Sequence, residues 1–169
     1  MELTDICTLE KWMELEQRIT AMSGLGANVF NTKGHRITAY RHWSNRLCPA
    51  IKATDKGQSF ICAVAHMNIA AQAQQTQKEV IEECDAGLVK VVVPVIVKGE
   101  FLGSICACGL LLENGEVDTF LINKITDMEE EEIEALSDDI RTLKDKKVRE
   151  LCDFIQTEYE KIIAPANNT

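Results

Sequence analysis

The sequence predicts one α+β domain, and three observations carry that expectation. Residues 84–112 read as two long apolar strands joined at Lys98-Gly99-Glu100. Before them, and again after Asn114-Gly115, apolar residues recur at spacings of three and four, which is the helical period. A chain of 169 residues suits a single hydrophobic core without staples.

In chain order, Leu9, Trp12, Met13, Leu15, Ile19 and Met22 describe an amphipathic helix that Gly24-Leu25-Gly26 stops. Residues 27–30 and 36–40 read as short strands around the turn Asn31-Thr32-Lys33-Gly34. Residues 48–54 give a short helical turn after Pro49. Residues 58–75, rich in Ala and Gln and free of Pro and Gly, read as helix. A short strand follows at residues 80–83, then the hairpin strands at 88–97 and 100–112. A hairpin this apolar belongs in the middle of a sheet, because an exposed edge of that composition would aggregate. Val117, Phe120, Leu121 and Ile125 form one helix, and Ile133, Leu136 and Ile140 a second. A third, long and amphipathic, spans residues 138–163 with Asp138 and Ile163 as its ends. Repeats, low-complexity segments and linkers are absent, so residues 1–163 form one domain and residues 164–169 a disordered tail.

The net charge of −9 works against binding a nucleic-acid backbone. The acidic run at residues 127–134 reads as a solvated helix start, where carboxylates complement the N-terminal dipole. Charges within the first ten residues give no signal-peptide core, and no uninterrupted apolar run reaches the roughly 18 residues that a membrane helix needs. The expected protein is soluble and cytoplasmic, without a membrane partner. Seven cysteines, an odd number, argue against a secreted disulfide framework. They fit a thiolate metal site, a redox role, or small hydrophobes in a core. Cys7 and Cys152, isolated on helical patterns, are read as core.

Cys48, Cys62 and Cys84 are separated by 13 and 21 intervening residues, and Cys106-Ala107-Cys108 supplies two more thiols. Without a C-x-x-C pair there is no zinc-ribbon or ferredoxin signature. Alternation along a strand puts Cys106 and Cys108 on one face of the sheet. Cys84 begins the neighbouring stretch, and Cys62 lies on the helical segment that would cover that face. Converging thiolates select zinc, copper(I) or an iron–sulfur cluster. The expected metal set is Cys48, Cys62, Cys84, Cys106 and Cys108, holding zinc or an iron–sulfur cluster; the competing expectation is that these thiols line a pocket for a small organic ligand. His66, four residues after Cys62, shares its helical face and either reaches the same ligand or is simply hydrogen-bonded. His35 and His42 fall in turn and loop sequence and read as exposed. No Gly-rich phosphate loop, G-x-S-x-G or H-E-x-x-H is present, so the chain does not read as an enzyme.

At these residues the sequence resembles the PocR sensory-domain family. The resemblance rests on Leu47-Cys48-Pro49-Ala50-Ile51, the later Cys62, and Cys84-Asp85-Ala86-Gly87-Leu88. It continues through Val93-Pro94-Val95-Ile96-Val97-Lys98-Gly99-Glu100-Phe101-Leu102-Gly103-Ser104-Ile105. The opening helix with Ser23-Gly24-Leu25, the turn from Asn31 to Thr38, the acidic helix and the last helix extend it over nearly the whole chain. It implies a PAS-like fold, a central antiparallel sheet with helices enclosing a ligand pocket, and detection of small hydrocarbon derivatives such as diols. Asp85 stands where the family commonly has His, and Leu110 follows Gly109 where it commonly has Gln. With Cys106 and Cys108 added, these departures move the expectation from a diol toward a metal, cluster or cofactor.

The sequence therefore predicts a stand-alone sensory module with Cys62, His66, Cys84, Asp85, Cys106 and Cys108 around its ligand. It would signal through a protein partner, with the helix at 138–163 either forming a homodimer or packing on its own domain. The alternative is a thiol-dependent redox enzyme or metal carrier using Cys106 and Cys108 as an exchangeable pair.

Overall fold

Side-chain alternation along the central hairpin sorts the molecule into two unequal halves. The computed structural model describes residues 1–169. Strands β1 (Gly26–Asn31), β2 (Val80–Glu83), β3 (Val89–Val97) and β4 (Glu100–Cys108) form an antiparallel sheet in the order β1-β4-β3-β2. The apolar hairpin β3–β4 is central, as its composition required. Pro94 is tolerated in β3 because β2 ends opposite Val92, leaving the strand only one neighbour there.

On the first face, Val89, Val91, Val93 and Val95 of β3 join Ala27, Val29, Ile105 and Ala107 in the main core. A bulge opposite Val95 and Ile96 shifts the register, so Leu102 also turns to this side. Gly103 sits in the bulge at φ +153°, where an added Cβ would lie 2.1 Å from the Phe30 carbonyl oxygen. Helix α1 (Leu3–Ile6) and helix α2 (Leu9–Ser23) lead into the sheet. Thr8 caps α2 by accepting from the Lys11 N–H, and Gly24 ends it in the left-handed conformation. The stripe of Trp12, Leu15 and Ile19 packs on the sheet as the spacing predicted.

The last helix, α8 (Asp145–Asn167), completes that core with Val148, Leu151, Ile155, Tyr159 and Ile163. It starts at Asp145, not at Asp138, because β6 (Thr142–Leu143) pairs in parallel with β5 (Leu111–Leu112) just beyond the hairpin. It also runs past Ile163 into the residues expected to form a tail. Its apolar stripe is covered by β3 and α2, so of the two readings of this helix the stripe follows the packing on its own domain: Leu151 and Ile155 are fully buried there.

On the second face lie α3 (Leu47–Lys52), α4 (Asp55–Gly57), a π-helical turn (Gln58–Ala63) and α5 (Val64–Thr76). The sequence read residues 58–75 as one regular helix; its first part is instead π-helical, a local widening common at functional sites. Helices α6 (Thr119–Thr126) and α7 (Glu130–Ser137) pack beside α3 and α4 around Leu47, Ile51, Ile61, Ile122 and Ile133. The strand expected at residues 36–40 is reduced to one bridge between Phe30 and Arg36. Side chains hold that segment in place of a ladder: Thr38 Oγ1 donates to the buried Glu16 carboxylate, and Asn28 Nδ2 donates to the Tyr40 carbonyl. No helix is long and apolar enough to cross a membrane.

Candidate ligand pocket

The same alternation that fills the first face points Asn28, Phe30, Lys90, Cys106 and Cys108 to the second. They floor a cavity of about 510 Å³, within the range that holds small molecules. Its roof is the loop of residues 32–46 together with Cys48 and Lys52 of α3, the π-helical turn and α5. A loop of this length without regular structure is usually functional.

All five cysteines of the expected set line this cavity, and so does His66. The His66 ring stacks on Phe30 with centroids 3.9 Å apart, and its Nδ1 lies 3.6 Å from Cys106 Sγ. Cys106 Sγ is also 3.5 Å from Ser104 Oγ, and Asn45 Nδ2 donates to Cys48 Sγ at 3.3 Å. The sulfurs do not converge, however. No group of three or more His, Cys, Asp or Glu side chains is arranged to hold a metal ion. The expected zinc or iron–sulfur set is not gathered as a ligand cluster here: the thiols come from separate elements around an open space, and two of them are engaged by Asn45 and by His66 with Ser104. All seven cysteines are free thiols. Asp85 is exposed and outside the cavity. The tight turn in which Gly87 N–H donates to the Cys84 carbonyl carries it to the surface. His35 and His42 are exposed as expected, yet both border the cavity.

Burial pushes the Cys62, Cys84 and Cys106 thiols up, and Cys48 up to about 12, with neighbouring cysteines adding to Cys48. These groups are protonated at neutral pH, which makes them poor nucleophiles. Burial, then the positive charges of Lys90, Lys52 and Arg36, hold His66 down to about 4, so its imidazole is neutral. Burial also lowers Lys52 and Arg36, with Arg36 acting on Lys52 and Arg41 on Arg36. For Lys90 burial pulls the same way, but negative charge on the sulfurs of Cys108, Cys106, Cys84 and Cys62 more than reverses it and sets its pKa above the ordinary lysine value. With Cys62, Cys84 and Cys106 protonated at neutral pH, their share of that support is absent there.

The cations are what sequence reasoning missed. Lys90 is only 7% exposed in the middle of the floor. The signal was present, since Lys90 is the one charge in the strand Val89–Val97, and a buried lysine without a partner is rare. Arg36 and Lys52 gave no such signal, because the loop and the short helix bring them in from outside the sheet. Ser44 was missed too: its Oγ is buried at the cavity wall without a hydrogen-bond partner.

No curated protein and no solved structure matches the chain. A family described as the sensory domain found in PocR matches residues 5–166. With that match covering almost the entire length, and with the antiparallel sheet, enclosing helices and pocket in place, the chain belongs to the PocR sensory-domain family.

Proposed function

We propose that the protein is a sensory module whose signal is the occupancy of this cavity by a small organic molecule, passed on to a protein partner. The observation that carries the reading is a cavity of about 510 Å³ with an unpaired hydroxyl, Ser44 Oγ, in its wall. Buried polar atoms are nearly always hydrogen-bonded, so an orphan hydroxyl packed in the wall against Gly109, a side-chain rotation away from the cavity, marks a place where a bound group can be met. The roof suits a relay. The π-helical turn carries Cys62 into the cavity and adjoins α3, α4 and α5, while α4 contacts α6 and α6 contacts α7. A ligand drawing on the turn would shift the surface formed by α6 and α7, where a partner could read it.

The test is to fill the cavity. Native mass spectrometry of the purified protein should reveal a bound small molecule, and adding that molecule back should raise the melting temperature. Ala65→Trp, from a wall position on α5, should leave the fold intact and abolish that shift. An unchanged shift in Ala65→Trp would place binding elsewhere. Elemental analysis of anaerobically prepared protein should be blank; stoichiometric zinc or iron would instead restore the thiolate-centre reading, which the gathering of five cysteines around one cavity supports.

A further inference from the structure

The cavity is lined by 24 residues, and not one is Asp or Glu, in a chain carrying 27 of them. Four of the lining residues are Lys or Arg: Lys33, Arg36, Lys52 and Lys90. None of these four takes part in any ion pair of the molecule. Three lie over aromatic faces instead: Lys90 Nζ and Arg36 Cζ are each 5.9 Å from the Phe30 ring centroid, and Lys52 Nζ is 5.6 Å from that of Trp43. Rings stabilise a cation without neutralising it. Glu82 stands opposite Lys90 in the β2–β3 register, but it is exposed and forms no ion pair with it.

We infer that the ligand of this cavity is a small organic acid whose carboxylate seats against Lys90. The inference rests on the reading of the cavity as a ligand site and deepens it. A buried ammonium without a counter-charge is costly, and a positive cavity in an acidic protein is built against the general charge balance. An incoming anion removes the first cost and uses the second. The thiols of Cys62, Cys84 and Cys106, protonated at neutral pH, do not supply that charge themselves. Ser44 belongs to the same end of the cavity: it lies against Gly109, next to Cys108, and Cys108 is the residue directly across from Lys90. One ammonium, and one hydroxyl once the Ser44 side chain turns from Gly109, match the two oxygens of a carboxylate. A phosphate calls for more donors, commonly an Arg fork or a nest of backbone N–H groups. Arg36 and Lys52, half-buried in the roof, draw the acid in, and Phe30, Leu88 and Trp43 offer apolar surface to its body.

The test uses matched pairs differing only in charge, phenylacetate with phenylacetamide and 4-methylpentanoate with 4-methylpentanamide, titrated into the full chain at neutral pH. Trp43 reports from the cavity wall, whereas Trp12 is fully buried in the other core and gives a constant background. Calorimetry provides a second readout. The acids should bind at least tenfold more tightly than their amides, and Lys90→Met should erase that preference. The unliganded Lys90→Met protein should melt no lower than the parent, since an unpaired buried charge has been replaced by an apolar chain of similar length. Should that variant fail to fold, Arg36→Met combined with Lys52→Met must weaken acid binding several-fold and leave amide binding unchanged. Equal binding of acids and amides, or an undiminished preference in Lys90→Met, overturns the carboxylate inference while the cavity remains a ligand site. If neither acids nor amides perturb Trp43 or release heat, the carboxylate inference falls, and the proposed function falls with it when native mass spectrometry also finds no bound molecule.

Discussion

His66 lies face to face with Phe30, ring centroids 3.9 Å apart and planes inclined by 29°, and this stack ties helix α5 to the first strand. The contact fixes one wall of the cavity. It also fixes the chemistry of His66, because a ring pressed between an aromatic face and the buried Cys106 thiol has little water to stabilise a proton. Lys90 from β3, Arg36 from the loop and Lys52 from α3 oppose that proton further.

Stability should therefore fall as the solution is acidified from pH 6.5 toward pH 4. His66 has an ordinary value of 6.5 when unfolded and about 4 when folded. Across that window the unfolded chain binds the extra proton, so the contribution is complete above pH 6.5 and is lost on the way down to about 4. At 1.36 kcal/mol per unit the loss is about 3 kcal/mol. Urea unfolding at several pH values should show it, and His66→Gln should flatten the slope. An identical slope in His66→Gln would show that the imidazole is not held neutral.

Glu16 has the opposite sign. Its carboxylate is buried within α2, accepts from the Val29 N–H at 2.8 Å and from the Thr38 hydroxyl, and burial raises its pKa despite those bonds. A raised acid contributes stability below the ordinary carboxylate range and loses it as pH rises through the folded value. Glu16→Gln should accordingly be neutral or stabilising at pH 8. Glu16→Ala strands the Val29 N–H and frees the loop that carries Arg36, and should cost about 2 kcal/mol. Equal melting temperatures for the two variants at pH 8 would exclude this role.

The hairpin, both flanking helices and the shared face of Cys106 and Cys108 were legible in the sequence, because period-two and period-3.6 patterns are local. The register shift at Gly103 and the start of α8 at Asp145 were not. The start of α8 depends on a pairing between residues distant in the chain, Leu111 with Thr142, and the register shift lies where Gly103 also meets Asn31 of β1. At the site, the cysteines were found because alternation on β4 aims two of them at one cavity. Their failure to converge was hidden, since it is set by where the loop, α3 and the π-helical turn come to rest. Arg36 and Lys52 were invisible for the same reason. Asp85 misled because a position next to Cys84 in sequence points away from it once the turn forms.

The two central strands should be the slowest to exchange their amide hydrogens. Val91, Val93, Ile105 and Ala107 are fully buried and paired on both sides or covered by α8 and α2. Such amides open only near global unfolding. Leu151→Ala, which removes a fully buried side chain from the helix above them, should cost about 3 kcal/mol and speed that exchange. Rapid exchange of β3 in the parent protein would contradict the placement of the hairpin at the centre.

The cavity cysteines should resist alkylation at neutral pH although they line an open space. Iodoacetamide attacks the thiolate, and burial holds Cys62, Cys84 and Cys106 above the ordinary thiol value and Cys48 near 12. Peptide mapping after brief treatment at pH 7.5 should find these four sites far less modified than in urea, with labelling rising as the solution is made alkaline. The same experiment separates a ligand pocket from a redox centre. An exchangeable pair at Cys106 and Cys108 requires the Cys106 sulfur to be reachable for exchange, and it is instead buried against His66 and Ser104. Rapid native-state modification of Cys106 at pH 7.5, or recovery of a Cys106–Cys108 disulfide after mild oxidation, would favour the redox reading over the sensory pocket.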